Sequence, residues 1–171
     1  MDVFSRTFLP ATAEAALPIP TVSRHMPLIR RCVEPDDATM FITRCLRPDR
    51  PPGGQHLLLL LTRRRLVVTH ETRMLRRTRL YLNARLGDLH NVSWRADDRQ
   101  CAIELAATAG DGLRERFWIT LGDRTRVSHV DALLSHVFRP RLPAARLAAQ
   151  PAPVVVGPMV DLPVWGPSQA A

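Results

Sequence analysis

The chain contains no lysine, although it is strongly basic. All 24 basic residues are arginines; they face 16 acidic residues, which gives a net charge of +8. Because lysine is absent throughout, part of this bias reflects the amino-acid usage of a GC-rich genome. The positions of the arginines, not their total, must therefore decide whether the charge has a function. A basic surface favours nucleic acid, anionic lipid or an acidic protein partner.

Cysteine is scarce and long apolar runs are missing. The three cysteines include no CxxC pair, and their odd number does not suit a disulfide framework or a zinc site. The longest aliphatic run, Leu57–Leu61, is far shorter than the about 20 residues of a membrane-spanning helix. The N-terminus lacks the basic start and apolar core of a signal peptide. We therefore expect a cytoplasmic protein without a transmembrane segment, with peripheral association at a membrane as an alternative.

Motifs of catalysis and metal binding are also missing. The sequence has no GxSxG, no GxGxxG, no Walker-type glycine-rich loop and no HExxH. His129 and His136 are seven residues apart on a predicted helix, about 10 Å along its axis, which is too far for one metal ion. We expect no catalytic residues, no metal site and no cofactor.

Proline divides the chain into three parts. None of the 15 prolines lies between Gly53 and Arg139, and proline is disfavoured in central strands and helix interiors. The proline-poor middle therefore predicts one folded domain, residues 34–139. We expect residues 1–33 to be a partly disordered N-terminal extension and residues 140–171 to be a Pro/Ala-rich tail.

Within the domain, apolar residues mostly alternate with polar ones, which is typical of strands. The predicted strands are residues 38–46, 56–62, 66–70, 79–86, 89–95, 100–108 and 114–121. In the fourth, we expect Leu80 and Ala84 to face one way and Arg79, Tyr81 and Arg85 to face the other.

After the last strand the apolar spacing changes to that of a helix, predicted over residues 125–138. Leu133 and Leu134 are expected to be buried against the strands. The sequence thus predicts a mainly β fold: a seven-stranded antiparallel barrel or sandwich capped by one C-terminal helix, with proline-rich termini.

Three local patterns resemble those of bacterial pleckstrin-homology-like domains, including the GRAM type. Leu59–Val68 (LLLTRRRLVV) resembles their hairpin of apolar strand, threonine, polar residues and apolar strand. Leu86–Val92 (LGDLHNV) and Phe117–Ile119, placed before the final helix, resemble two further segments of such domains. The resemblance covers residues 34–139.

The resemblance implies a binding or scaffolding module, not an enzyme. Members bind phosphoinositides, other lipids, peptides or proteins. Lipid-binding members usually carry basic residues on the end of strand one and on strand two. Here strand two consists of His56 and leucines, and only Arg44 and Arg47 are available on strand one. The usual phosphoinositide site is therefore not reproduced.

One stretch concentrates the positive charge. Residues 57–86 contain eight arginines and a single acid, Glu71, for a net charge of +7, whereas the rest of residues 38–138 has nine arginines and nine acids. This localisation predicts an anion-binding face, because the guanidinium fork pairs with carboxylates and phosphates; a solvated surface is the alternative. The candidate anion-binding residues are Arg63, Arg64, Arg73, Arg76, Arg77, Arg79 and Arg85.

The tail also contains an unusual segment, residues 154–165 (VVVGPMVDLPVW). It is apolar, yet two prolines interrupt it. Such a segment could dock on its own domain, bind a partner as a short strand, or stay unstructured. Its candidate partner-binding residues are Val154, Val155, Val156, Met159, Leu162 and Trp165.

The function expected from the sequence is that of a non-enzymatic pleckstrin-homology-like interaction module. Its Arg-rich face would bind a protein partner or an anionic membrane surface. Nucleic-acid binding by the same face is the alternative; it is less favoured because aromatic residues for base stacking are few. A homo-oligomer is also compatible with the sequence.

Overall fold

The computed structural model describes residues 2–48, 57–72 and 77–138. The chain divides into two units, Met1–Arg139 and Pro140–Ala171, and every described residue belongs to the first. Its helices are α1 (Val3–Glu14), α2 (Ile19–Cys32) and α3 (Arg124–Phe138). Its strands are β1 (Thr39–Cys45), β2 (Leu57–Thr62), β3 (Arg65–Glu71), β4 (Thr78–Arg85), β5 (His90–Asp97), β6 (Ala102–Thr108) and β7 (Arg114–Thr120).

The strands form two antiparallel sheets, so the prediction of a mainly β fold with seven strands and a C-terminal helix is confirmed. Sheet 1 has the order β1-β2-β3-β4 and sheet 2 the order β5-β6-β7. In the described part of the chain, one bridge joins the sheets: the amides and carbonyls of Leu46 and Trp118 exchange hydrogen bonds of 2.9 and 2.8 Å. Over the described residues the strands do not close into a barrel, so the barrel alternative of the prediction is not observed.

The main core lies between the sheets, and α3 covers one side of it. Val127, Val130 and Leu134 of α3 are buried against residues of both sheets. Leu133, which was also predicted to be buried, is only partly buried at the margin of this core.

The N-terminal residues differ from the prediction. Residues 1–33, expected to be partly disordered, contain α1 and α2, and these helices pack on the outer face of sheet 1. Asp2 caps α1, because its carboxylate accepts a 2.6 Å hydrogen bond from the amide of Ser5. Phe4 and Phe8, one turn apart, are at most 2% exposed. Each helix contains an internal proline, Pro10 in α1 and Pro27 in α2, which costs about 3 kcal/mol. Burial of the two phenylalanines favours α1 despite this cost, and burial of Ile29 favours α2.

This second layer explains the leucine run of β2. All six residues of β2 are buried. Leu58 and Leu60 pack beneath the two N-terminal helices, whereas Leu59 and its alternating neighbours face sheet 2. A strand covered on both faces has no reason to alternate apolar with polar residues.

Candidate functional site

A β-bulge in β4 separates the arginines that were predicted to share one face. Val68 pairs with Leu82 and Thr69 with Leu80, so Tyr81 is an extra residue on β4. A bulge of one residue reverses the facing of every residue beyond it. Leu80 is accordingly 43% exposed, whereas Ala84, predicted to be on the same face, is buried in the core.

The prediction that Arg79 and Arg85 face the same way is therefore wrong. Arg79 lies opposite His70, and Arg85 lies opposite Arg65. Along β4 they are separated by six residues, about 20 Å at about 3.3 Å per residue. Both side chains are exposed, but they belong to opposite ends of sheet 1.

The seven candidate arginines accordingly fall into separate groups. Arg63, Arg64 and Arg85 lie at the end of sheet 1 formed by the β2–β3 turn. Arg77 and Arg79 lie at the other end, where β4 begins. Arg73 and Arg76 are outside the described residues, as are the tail candidates at positions 154–165.

At the β2–β3 end the arginines surround a cleft, which we call the arginine cleft. Its volume is about 420 Å³, and it opens to solvent. It is lined by Arg63, Arg64, Arg65, Arg85, Glu34, Leu86 and Gly87. Arg65 belongs to the charged run but was not among the candidate residues. Its inclusion follows from the strand register, which the sequence pattern does not specify.

The turn that carries three of these arginines is held in place by a buried hydroxyl. Thr62 accepts hydrogen bonds from the amides of Arg64 and Arg65, at 3.3 and 2.9 Å. The same hydroxyl donates to the carboxylate of Asp37, at 2.6 Å. Thr62 and Asp37 are at most 2% exposed, so the backbone of the turn is fixed before any ligand arrives.

Two of the four arginines have partners within the chain. Arg64 donates to Glu34 at 2.6 Å and to Asp36 at 2.8 Å. These hydrogen bonds, that to Asp36 first, raise the pKa of the Arg64 guanidinium. Arg65 donates to the side-chain oxygen of Asn83 at 3.1 Å, which is a neutral partner.

The other two arginines carry uncompensated charge. Within the described ranges, no carboxylate lies within 4 Å of the guanidinium of Arg63 or of Arg85. Arg85 is also the direct cross-strand partner of Arg65. Like charges placed opposite each other on neighbouring strands are destabilising. The arrangement can therefore hold an anion whose binding removes this repulsion.

The aromatic residue near the second group of arginines is not free for stacking. Tyr81 is half-buried, and its hydroxyl donates to Glu115 at 2.5 Å. Burial, and then this hydrogen bond, raises the pKa of Tyr81 to about 12. Arg47 lies over the Tyr81 ring, with its guanidinium carbon 5.3 Å from the ring centre, and contacts Glu115 at 3.9 Å. Tyr81 thus links the two sheets.

Other chemistries find no site in the part of the chain that the structure describes. It contains no group of three or more His, Cys, Asp or Glu side chains that could hold a metal ion. Cys32, Cys45 and Cys101 are free thiols, and burial raises the pKa of Cys45 above its usual range. Among the same residues, no helix is long and apolar enough to cross a membrane.

Comparison with known proteins gives no relative. No family model, no curated protein and no solved structure matches this chain.

Proposed function

We propose that this protein is a non-enzymatic interaction module of the pleckstrin-homology-like type, and that it binds a protein partner through carboxylates placed in the arginine cleft. The supporting observation is the cross-strand pair of Arg65 and Arg85 beside Arg63. Three guanidinium groups surround one opening, and none of them has a carboxylate partner within the described residues. A carboxylate bound by an arginine fork gains charge-assisted hydrogen bonds, worth roughly 1.5–3 kcal/mol each.

A protein partner fits this cleft better than a membrane does. A membrane surface is best matched by a broad basic face without acids. Here the arginines lie in a concave opening with Glu34 in its lining, and a second arginine group lies about 20 Å away. The cleft therefore suits side chains of a folded or extended protein that can enter it.

Nucleic acid is disfavoured by the state of Tyr81. Single-strand binding relies on exposed aromatic rings next to basic residues. Tyr81 is the aromatic residue of the basic run, and it is half-buried and engaged with Glu115 and Arg47.

The test compares two double variants of equal charge. We expect R63Q/R85Q to bind poly-L-glutamate at least tenfold more weakly than the wild type, because both uncompensated guanidinium groups are lost. R77Q/R79Q removes the same charge from the other end of sheet 1 and should lose less than threefold. Binding is measured by fluorescence anisotropy at about 0.15 M ionic strength, where exposed charges are screened beyond about 8 Å.

Vesicles of anionic lipid and a single-stranded oligonucleotide are measured in parallel. Tighter binding of either probe than of poly-L-glutamate would contradict a protein partner. Equal losses in the two double variants would show that net charge, and not the cleft, determines binding. Thermal unfolding of each variant serves as the control for folding.

A further inference from the structure

The outer edge of β1 has backbone groups that no strand covers. Leu46, just beyond β1, directs its amide and carbonyl toward Trp118 of β7. Alternate residues of a strand present these groups to the same edge, so Arg44 and Ile42 direct theirs the same way. Over the described residues, no backbone hydrogen bond reaches Ile42 or Arg44 from that side.

A second cleft, which we call the β1 groove, lies beside this edge. Its volume is about 240 Å³. Its apolar lining comes from α1, β1 and α3, and consists of Ala11, Ala15, Met40, Phe41, Ile42 and Val130. Its polar rim consists of Glu14, Thr125, Arg126 and His129. The guanidinium of Arg126 donates to the carbonyl of Glu14, which joins α3 to the C-terminal end of α1 at the rim of the groove.

The size of the groove indicates what can enter it. Sites for free small molecules are usually about 300–1,000 Å³, and this groove is smaller. It matches a single bulky apolar side chain. A side chain delivered next to an open strand edge comes most simply from an extended peptide, whose backbone supplies the donors and acceptors that the edge lacks.

The charged residues around the groove indicate which residues should flank the apolar side chain of such a peptide. Arg44 is exposed on the open edge, and Arg126 lies on the rim, whereas Glu14 supplies one negative charge. A peptide with carboxylates beside its apolar residue would complement this surface.

We propose that the edge of β1 is a second binding site, which adds an extended acidic peptide as a fifth strand of sheet 1 and takes one of its bulky apolar side chains into the β1 groove. The site is separate from the arginine cleft. It uses the edge of β1 that does not pair with β2, and its lining includes none of the cleft arginines.

The test uses a labelled heptapeptide, EVEFEVE, and the same peptide with alternate backbone amides N-methylated. Methylation removes the donors of strand pairing and leaves the side chains unchanged. We expect the full-length protein to bind the methylated peptide at least tenfold more weakly than the parent. If the wild type binds both equally, or binds neither, the proposal is wrong.

Protein variants locate the site. R44P removes an edge donor without breaking the ladder to β2, since proline is tolerated where its nitrogen faces outward; it should weaken binding at least tenfold, and R44Q less than threefold. A11F fills the groove and should also weaken binding about tenfold. If R44P does not fold, A11F and the methylated peptide decide the question. The glutamates of the probe can also enter the arginine cleft, so the comparison is repeated in R63Q/R85Q, where the parent peptide should still bind at least tenfold more tightly than the methylated one; loss of this difference would place the peptide in the arginine cleft and overturn the proposal.

Discussion

His25 is the residue whose ionisation should matter most for stability. It lies on the buried face of α2, where it is 3% exposed, and its Nδ1 lies 2.7 Å from the hydroxyl of Thr69. Burial lowers the pKa of His25 below 6.5; nearby Glu71 opposes this shift, whereas Arg24 and His70 add to it. Because the unfolded chain then takes up a proton more readily than the folded one, stability should fall as the pH drops below about 6.5.

The measurement is the free energy of unfolding in urea between about pH 5 and pH 7. The wild type should lose stability on acidification, and H25Q should lose less over the same range. An equal slope in both proteins would assign the pH dependence in this range to other groups. Asp2 is not one of them, because its capping hydrogen bonds to Ser5 lower its pKa and it would act only at lower pH.

Two adjacent leucines of α3 offer a matched comparison. Leu134 is 2% exposed within the main core, so L134A should cost roughly 2–5 kcal/mol of unfolding free energy. Leu133 lies at the core margin, and L133A should cost clearly less. Thermal or urea unfolding decides this, and an L134A protein as stable as the wild type would show that α3 is not a core element.

At the scale of elements, the sequence predicts where each strand begins and ends better than it predicts which face of the sheet each side chain occupies. Each predicted strand is present with ends that agree within two residues, because strand length and turn residues are local properties. The bulge at Tyr81 is different, since it depends on which β3 residue pairs with which β4 residue. One extra residue turned Arg79 to the opposite face from Arg85 and so divided the predicted anion-binding face.

The two N-terminal helices also depend on packing, which a local sequence pattern does not show. The prolines at positions 10 and 27 suggested irregular structure, yet both lie within helices. The leucines of β2 carry the better signal. Five consecutive leucines indicate a strand that is buried on both faces. Sheet 2 buries one face, so the other face requires packing elements from outside the two sheets.

For the whole molecule, α1 and α2 are then part of the fold and not an appendage. A chain beginning at Glu34 would expose Leu58, Leu60 and Val67, which are at most 2% exposed with the helices in place. We expect this truncated chain to be largely insoluble on expression, and the full-length chain to be soluble. A soluble truncated chain with the same unfolding temperature would contradict the two-sided burial of β2.

The burial of β2 on both faces also has a consequence for folding during synthesis, because the strand stays exposed until the N-terminal helices pack on it. The ribosome releases α1 and α2 before the sheet on which they pack exists, and then releases a continuous leucine segment that carries no charge. Until the N-terminal helices settle on it, this segment could pair with an identical one from another nascent chain. Slower emergence of the sheet, or a delay in helix docking, would therefore divert chains toward aggregates, and holdase chaperones that bind leucine-rich strands would raise the yield of folded protein.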